Sequence, residues 1–407
     1  MNENRADAVG GRGSQTQNWG VTLGVNTGQT MAILQNTDLR ILVVDDQESV
    51  RSHLSHELLR MGVEQVLEAA SAEEALAAFE QHQPDLVLLD ILMPGNNGYW
   101  IAERIRDLED GRWTPIIFLT GMDRDEDLWE GIRTGGDDYL IKPFTADQLQ
   151  SRLVKALYKK KYFERVFRHL DNGAFNDALA ACEGLLGKDE QFLYDTLRFK
   201  GEILNALGRY EEAKAVYQQV LDNAMVPWAR MGLAIALRGM DALAEAEMIG
   251  TSIIDDFPEY LAAYDFVANV REEMGKLAEA QETLQKASAI SPNNSVRQRM
   301  VAEIAVRNDD LDVAERAYSK VLERHRGSSL RVIDDYTNLT RVMLDRGHTD
   351  GARMITQELR REWRGNKHGE LAALVMDSLC CNQQGEPAKA KAALEKALAL
   401  HADIGDD

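Results

Sequence analysis

Cysteine is scarce in this chain of 407 residues, and its three copies do not have the spacing of a disulfide framework or of a metal site. Cys380 and Cys381 are adjacent, and Cys182 lies far from them in the sequence. We therefore expect three reduced thiols that pack as small apolar side chains, as is typical of a cytoplasmic protein.

Long apolar runs and an excess of basic charge are also missing. No stretch of about 18 apolar residues is present, so we expect no membrane span. The first residues lack a basic start followed by an apolar stretch, so we expect no secretory signal. Lysine and arginine number 46 against 67 acidic residues, and the net charge of -21 argues against a bare nucleic-acid binder. Proteins are the better candidates for its partners.

The chain divides into three parts by composition and periodicity. Residues 1–37 are rich in Gly, Asn, Gln and Thr, and we interpret them as a flexible tail. Residues 38–157 alternate short apolar runs with amphipathic stretches. The apolar runs are Ile41–Val44, Val66–Ala69, Leu86–Leu89, Ile116–Leu119 and Tyr139–Ile141. The helical candidates that follow them are Glu48–Arg60, Ala72–Gln81, Tyr99–Leu108, Glu126–Thr134 and Ala146–Leu157.

Five strand–helix units of this kind predict a doubly wound α/β domain of the flavodoxin-like type. Short strands that are apolar throughout are typical of a parallel sheet buried on both faces. The predicted strand order is 2-1-3-4-5, and a ligand site is expected beyond the carboxyl ends of the strands.

Residues 158–407 contain no convincing strand, and a repeat runs through them. A turn residue stands five places before an alanine seven times, at intervals of 33 to 38 residues. The pairs are Gly173/Ala178, Gly208/Ala213, Asp241/Ala246, Gly275/Ala280, Asp309/Ala314, Gly347/Ala352 and Gly385/Ala390. This period resembles the tetratricopeptide repeat family and implies about seven stacked helix pairs, an all-α superhelix with a surface for a protein or peptide. Two positions depart from the pattern of that family: Val166 stands where a small residue is usual, and Gly250 stands where a bulky one is usual.

Polar residues follow four of the five predicted strands. Asp45 and Asp46 follow the first strand, Asp90 follows the third, Thr120 ends the fourth, and Lys142 follows the fifth. These side chains converge if the sheet is parallel. Three carboxylates in one place need a cation, and their hard oxygen atoms favour Mg²⁺. A carboxylate is also a nucleophile that forms an aspartyl phosphate.

The motifs ILVVDD, DLVLLDILMPGNNG, PIIFLTG and GGDDYLIKPF closely resemble those of response-regulator receiver domains, in order and spacing. The resemblance implies that Asp90 is the phosphoacceptor. It implies that Mg²⁺ is held by Asp46, Asp90 and the main-chain carbonyl of Leu92, with Asp45 acting largely through water. An aspartate-nucleophile phosphatase would need a second acid two residues after the nucleophile, where this chain has Leu92.

The same resemblance gives roles to the remaining polar residues. Thr120 and Lys142 would contact the phosphoryl oxygens, and Tyr139 would turn inward as the switch aromatic when Thr120 moves. The Lys142–Pro143 bond would be cis. Leu92 and Met122 flank the expected pocket with apolar side chains, so we expect slow loss of the phosphate.

The implied function is that of a two-component response regulator, not an enzyme acting on other substrates. A sensor histidine kinase or a phosphotransfer protein would phosphorylate Asp90, and the repeats would then bind a partner protein. The last receiver helix is expected to run on into the first repeat. It carries a basic cluster around Lys159–Lys161, so one alternative is a nucleic-acid-binding regulator. Another is a phosphate sink with a constitutive tether. The last predicted repeat lacks a polar cap, which suggests a homodimer.

Overall fold

The computed structural model describes residues 34, 38–93, 98–121, 138–258, 260–292, 294–326 and 331–404. The predicted helix at 126–134, Met122 and the predicted tail, apart from Leu34, therefore lie outside the described residues. Leu34 is fully buried in an apolar core of the first unit. Within the described residues, no helix is both long and apolar enough to cross a membrane. The described residues fall into two compact units.

The first unit contains a five-stranded parallel sheet in the order β2-β1-β3-β4-β5, as predicted. The strands are β1 (Arg40–Val44), β2 (Gln65–Ala69), β3 (Leu86–Asp90), β4 (Ile116–Thr120) and β5 (Asp138–Ile141). The helices are α1 (Glu48–Arg60), α2 (Ala72–His82), α3 (Gly98–Asp107) and α4 (Ala146–Asp171). Every described strand pairs in parallel with its neighbours.

The sheet has an apolar core on each face because successive side chains of a strand point to opposite sides. Ile41 and Val43 of β1 belong to the core that packs against α1 and α4. Leu42 and Val44 belong to the core that packs against α2 and α3. The central strands β3 and β4 are buried along their whole length, whereas the edge strands β2 and β5 are partly exposed. The uninterrupted apolar runs in the sequence therefore mark the centre of the sheet.

Helix α4 continues well beyond residue 157, as the apolar and basic pattern of the sequence predicted. The first unit includes this helix as far as Phe167, together with Leu185–Tyr194. Phe167 stacks on Trp113, with ring centroids 4.2 Å apart. Phe192 is buried and packs against Tyr162, with centroids 5.0 Å apart. The predicted domain limits, 38–157 and 158–407, remain predictions.

The second unit is helical throughout its described residues. Its helices are α5 (Phe175–Glu183), α6 (Leu193–Ala206), α7 (Tyr210–Leu221), α8 (Pro227–Gly239), α9 (Leu243–Asp256), α10 (Leu261–Glu273), α11 (Leu277–Ile290), α12 (Ser295–Arg307), α13 (Leu311–His325), α14 (Ile333–Asp345), α15 (Thr349–Glu362), α16 (Lys367–Gln383) and α17 (Pro387–Ile404). Consecutive helices contact each other from α7 to α17.

The turn residues and alanines of the repeat occupy the positions that the sequence predicted. Each of the seven turn residues has a positive φ, between 58° and 78°, a conformation that glycine adopts easily and aspartate tolerates. The alanines are buried, six of them completely. At Gly250 an added Cβ would lie 2.6 Å from Val267 and 3.2 Å from Phe266. These two side chains therefore fill the space that a bulky residue occupies in other repeats.

Candidate functional site

The polar residues predicted from the sequence lie at the carboxyl edge of the sheet. Asp90 ends β3, Thr120 ends β4, and Asp45 follows β1 directly. All three are buried, with exposed fractions of 6%, 6% and 0%. The parallel register places the end of β3 between the ends of β1 and β4. The topology therefore brings carboxylates that are far apart in the sequence to one edge.

Lys142 connects two of these carboxylates. Its Nζ donates hydrogen bonds to Asp45 Oδ2 and to Asp90 Oδ1, both at 2.8 Å. Its main-chain N–H donates to the carbonyl of Thr120 at 2.6 Å, and the Lys142–Pro143 bond is cis, as predicted. Burial alone would lower the pKa of Lys142, but the hydrogen bonds and negative charges of the two aspartates raise it. The ammonium is therefore held in its charged form between the two acids.

Asp90 has a carboxyl group whose pKa lies above its ordinary value. Its burial raises the pKa of the carboxyl group, and the negative charge of Asp45 acts in the same direction. The hydrogen bond and positive charge of Lys142 oppose this rise, as does a hydrogen bond from the backbone of Leu92. Desolvation prevails, which leaves a buried carboxylate poorly stabilised by its surroundings. Such a carboxylate is well suited to bind a cation or to act as a nucleophile.

Asp46 lies beside this pair in the sequence but has different surroundings. Its Oδ1 atom is buried and has no hydrogen-bond partner among the described residues. A buried carboxylate oxygen without a partner is unfavourable unless a cation or water binds it. No group of three or more His, Cys, Asp or Glu residues in the described ranges is arranged to hold a metal ion. Mg²⁺ usually takes only one or two carboxylates and completes its shell with water and phosphate oxygens, so the residues present fit this ion.

Leu92 and Tyr139 lie within three positions of Asp90 and Lys142 in the sequence. Leu92 is 54% exposed, whereas Ile91 and Met93 on either side of it are buried. Tyr139 packs against the apolar core that lies under α2 and α3. The guanidinium of Arg152 lies 6.0 Å from the centre of its ring. Arg152 also bonds both carboxylate oxygens of Asp138, at 3.0 and 3.1 Å, so the strand that carries Tyr139 is held by an ion pair.

Two supporting residues have roles that the sequence did not reveal. Arg51 donates to the main-chain carbonyl of Asp45 at 2.8 Å and lies 3.6 Å from Glu68, which fixes the turn after β1. Gly98 stands where an added Cβ would lie 2.3 Å from the carbonyl oxygen of Asp90. Gly98 therefore lies so close to the end of β3 that only glycine fits there. The glycine in the motif was visible in the sequence, but this close approach was not.

Comparison with known proteins finds two families in the chain. The model of the response regulator receiver domain matches residues 41–154. The model of the tetratricopeptide repeat matches residues 199–224 and 261–294, which correspond to parts of α6–α7 and to α10–α11.

Several individual proteins are similar to the first unit. A probable transcriptional regulator, ycf27, of Porphyridium aerugineum is 36% identical over 140 residues, which is 34% of this chain and 52% of that protein. The transcriptional regulatory protein YvrH of Bacillus subtilis is 37% identical over 122 residues, which is 30% of this chain and 50% of that protein. This chain thus spans about half the length of these relatives.

Among solved structures, the chemotaxis protein CheY4 of Vibrio cholerae is 32% identical, with 29% of this chain and 98% of that chain covered and a TM-score of 0.28. The two family matches fall on the parallel sheet with its acidic edge and on the helical repeats. The chain therefore contains a response regulator receiver domain at residues 41–154, followed by tetratricopeptide repeats.

Proposed function

We propose that the protein is a cytoplasmic adaptor whose repeats bind a partner protein according to the phosphorylation state of Asp90. The observation that carries this proposal is the pairing of Lys142 with both Asp45 and Asp90 at the buried carboxyl edge of the sheet. A lysine between two acids offsets part of their negative charge at rest. The same ammonium would contact the oxygens of a phosphoryl group on Asp90.

The proposed chemistry is transfer of a phosphoryl group from a phosphohistidine. A carboxylate oxygen of Asp90 attacks phosphorus, the P–O bond forms as the P–N bond breaks, and the released imidazole takes up a proton. Asp46, Asp90 and the main chain of Leu92 would hold Mg²⁺, which would neutralise the charge of the phosphoryl oxygens. Water later attacks phosphorus and restores the carboxylate and inorganic phosphate. The donor would be a sensor histidine kinase or a phosphotransfer protein.

The repeats supply the second half of the proposal. Stacked helix pairs commonly present a long surface that binds a peptide or a partner protein. Phosphorylation would change the population of receiver conformations, with Thr120 and Tyr139 as the switch residues. This change would alter the access of a partner to the repeats or drive dimer formation. The rival proposal, nucleic-acid binding through Lys159–Lys161, is weakened by one contact. Lys160 donates to the main-chain carbonyl of Asp85 at 3.3 Å and so serves the receiver itself.

The first test is phosphorylation of the purified chain by a small phosphodonor with Mg²⁺, followed by intact mass spectrometry. We expect a gain of one phosphoryl group in the wild type and none in Asp90→Asn. Asp107→Asn is the matched control because Asp107 is an exposed acid outside the site. A phosphoryl group on Asp90→Asn would refute the assignment of the phosphoacceptor.

The second test is affinity capture of partners from native lysate. One sample is the wild type loaded with Mg²⁺ and beryllofluoride, a mimic of the phosphoryl group. The other is Asp90→Ala. A protein captured in only one state supports the switched adaptor. Equal capture in both states refutes the switch and favours the phosphate sink, and salt-sensitive capture of RNA or DNA favours the nucleic-acid rival.

A further inference from the structure

The ion pairing of the repeats is nearly complete over one part of the chain. Between residues 195 and 310, eleven of the twelve lysines and arginines form an ion pair with an acid, and Lys214 is the exception among the described residues. Many of these pairs join neighbouring helices, as Arg238 with Glu273 and Arg297 with Asp265 do. Cations in this part of the surface are thus already neutralised within the chain.

Helix α13 departs from this arrangement. Arg316, Lys320 and Arg324 follow one another at intervals of four residues, so they share one face of the helix. All three are exposed, and none forms an ion pair in the described part of the chain. The opposite face of α13 is buried in the core through residues such as Tyr318 and Leu322. The three cations therefore form an outward-facing row.

The acids of α13 do not neutralise this row. Arg346 is ion-paired with both Asp312 and Glu315, so these two carboxylates are already occupied. Glu323 is the remaining acid of the helix, against three cations. An excess of positive charge on an exposed helix face is unusual in a chain of net charge -21.

Helix α15 is joined to the end of α13 by an ion pair and carries an exposed apolar side chain. Arg326, which follows α13, bonds both carboxylate oxygens of Glu358 in α15, at 2.7 and 3.0 Å. One turn before Glu358, Met354 is 70% exposed. One turn after it, Arg361 is also exposed, and its contact with Glu362 is long, at 3.7 Å. An exposed methionine thus lies on a helix that is tied to the end of the row and carries a further arginine.

We propose that this basic face, made of Arg316, Lys320 and Arg324 with Met354 and Arg361, binds an acidic segment of a partner protein. Charge complementarity attracts the segment, and an apolar side chain of the segment would pack on Met354. A long nucleic acid is disfavoured because its phosphates beyond the face would meet the negative charge of the rest of the chain. The inference rests on the proposed function only in that the repeats are the protein-binding part.

The test is fluorescence anisotropy at low ionic strength with a labelled peptide of alternating glutamate and leucine residues. In the full-length chain, the triple variant Arg316→Glu, Lys320→Glu and Arg324→Glu should weaken peptide binding by at least about tenfold. The triple variant with glutamine should give an intermediate loss. Met354→Ser should weaken binding by about twofold to fivefold without changing its salt dependence.

The matched control is Lys161→Glu, Arg165→Glu and Lys214→Glu, which changes the net charge equally but lies outside the basic face. It should bind the peptide like the wild type, and circular dichroism should show unchanged helicity in all variants. Equal losses in both triple variants would mean that only net charge matters and would overturn the inference. The inference would also be overturned if a DNA duplex of the same charge bound more tightly than the peptide and the triple variant abolished that binding. Dimer formation that depends on the same residues would overturn it too.

The outcomes also separate this inference from the proposed function. If peptide binding ignores the basic face but partner capture still depends on Asp90, the inference fails and the adaptor stands. If the peptide binds through the basic face but capture is equal in both phosphorylation states, the face stands and the switch fails.

Discussion

Lys142 Nζ and Asp90 Oδ1 lie 2.8 Å apart at the carboxyl edge of the sheet, although 52 positions separate the two residues. The same ammonium bonds Asp45 at an equal distance. One cation therefore pairs with two buried acids, and the stability of the resting site depends on it. A buried carboxylate that loses its counter-ion becomes unfavourable, because neither water nor the protein replaces the lost charge.

Replacing Lys142 by methionine should destabilise the receiver in the absence of Mg²⁺. The side chain is 25% exposed, so the pairs are partly screened, and we expect a loss of about 1–3 kcal/mol in the free energy of unfolding. Mg²⁺ should then stabilise the variant more than the wild type, because it substitutes for the missing cation. Urea unfolding with and without Mg²⁺ measures both effects. Lys155→Met is the control, and an equal Mg²⁺ effect in both proteins would contradict this account.

Asp46→Asn should have opposite effects on metal binding and on stability. The buried Oδ1 atom has no partner, so removing its charge should raise the free energy of unfolding without metal by about 1 kcal/mol. Loss of a charged ligand should weaken Mg²⁺ binding by at least about tenfold. Calorimetric titration and urea unfolding measure these effects, with Asp107→Asn as the matched control. A variant that binds Mg²⁺ normally would remove Asp46 from the ligands.

The strands were predictable because the sheet is buried on both faces. Each apolar run in the sequence matches a strand to within one residue at either end, and α1 matches the predicted helix Glu48–Arg60. Helix α3 begins at Gly98 instead of the predicted Tyr99. At Gly98 an added Cβ would meet the carbonyl of Asp90, and helical periodicity does not encode such a close approach. The close packing of Phe266 against Gly250 also depends on tertiary structure, so the sequence pattern did not show it.

The site was predictable as a set of residues but not as a set of contacts. The position of Asp90, Thr120 and Lys142 at strand ends follows from the parallel order of the sheet. The sequence did not show that Lys142 bridges two acids, because that depends on the path of its side chain. The contact of Arg51 with the main chain of Asp45 was missed for the same reason, since an arginine in an amphipathic helix has no distinctive sequence pattern.

Leu92 should lengthen the life of the phosphoryl group on Asp90. Its side chain is apolar and 54% exposed, two residues after Asp90, so we expect it to hinder an attacking water. We expect Leu92→Asn to speed the loss of phosphate by roughly threefold or more. Leu59→Asn is a matched control because Leu59 is equally exposed, at 54%, but lies on α1. Phosphate-affinity gels follow the decay, and a wild-type half-life of only seconds would refute the role of Leu92.

Glu247 should stabilise the repeats near neutral pH but not in acid. Its hydrogen bonds to Lys276 and Arg271, both 2.7 Å long, lower the pKa of the carboxyl group below its ordinary value of 4.5. A lowered pKa means that the stabilisation is present above the unfolded value and is lost as the pH falls through the folded value. Glu247→Gln should therefore cost about 1–2 kcal/mol near neutral pH and much less in acid.

Chemical denaturation across the pH range checks the role of Glu247, with Glu279→Gln as the control. Glu279 is 55% exposed and lies 3.8 Å from the same arginine, so its replacement should have little effect at any pH. A loss for Glu247→Gln that is equally large in acid would show that packing, and not the ion pair, is responsible.

Because the ring of Tyr217 packs against Gly232, we expect Gly232→Ala to destabilise the repeats. A Cβ added there would lie 2.1 Å from Cζ of the tyrosine ring, and one added at Gly201 would lie 2.5 Å from the same atom. Alanine is favoured over glycine inside a helix by about 1 kcal/mol, but the clash should outweigh this gain and give a net loss of about 1–3 kcal/mol. In the Tyr217→Leu background the ring is gone, so Gly232→Ala should cost little or even stabilise. Urea unfolding of the two single variants and the double variant gives the coupling energy, expected at about 1–3 kcal/mol. An additive result would mean that the ring does not limit how closely α6 and α8 approach.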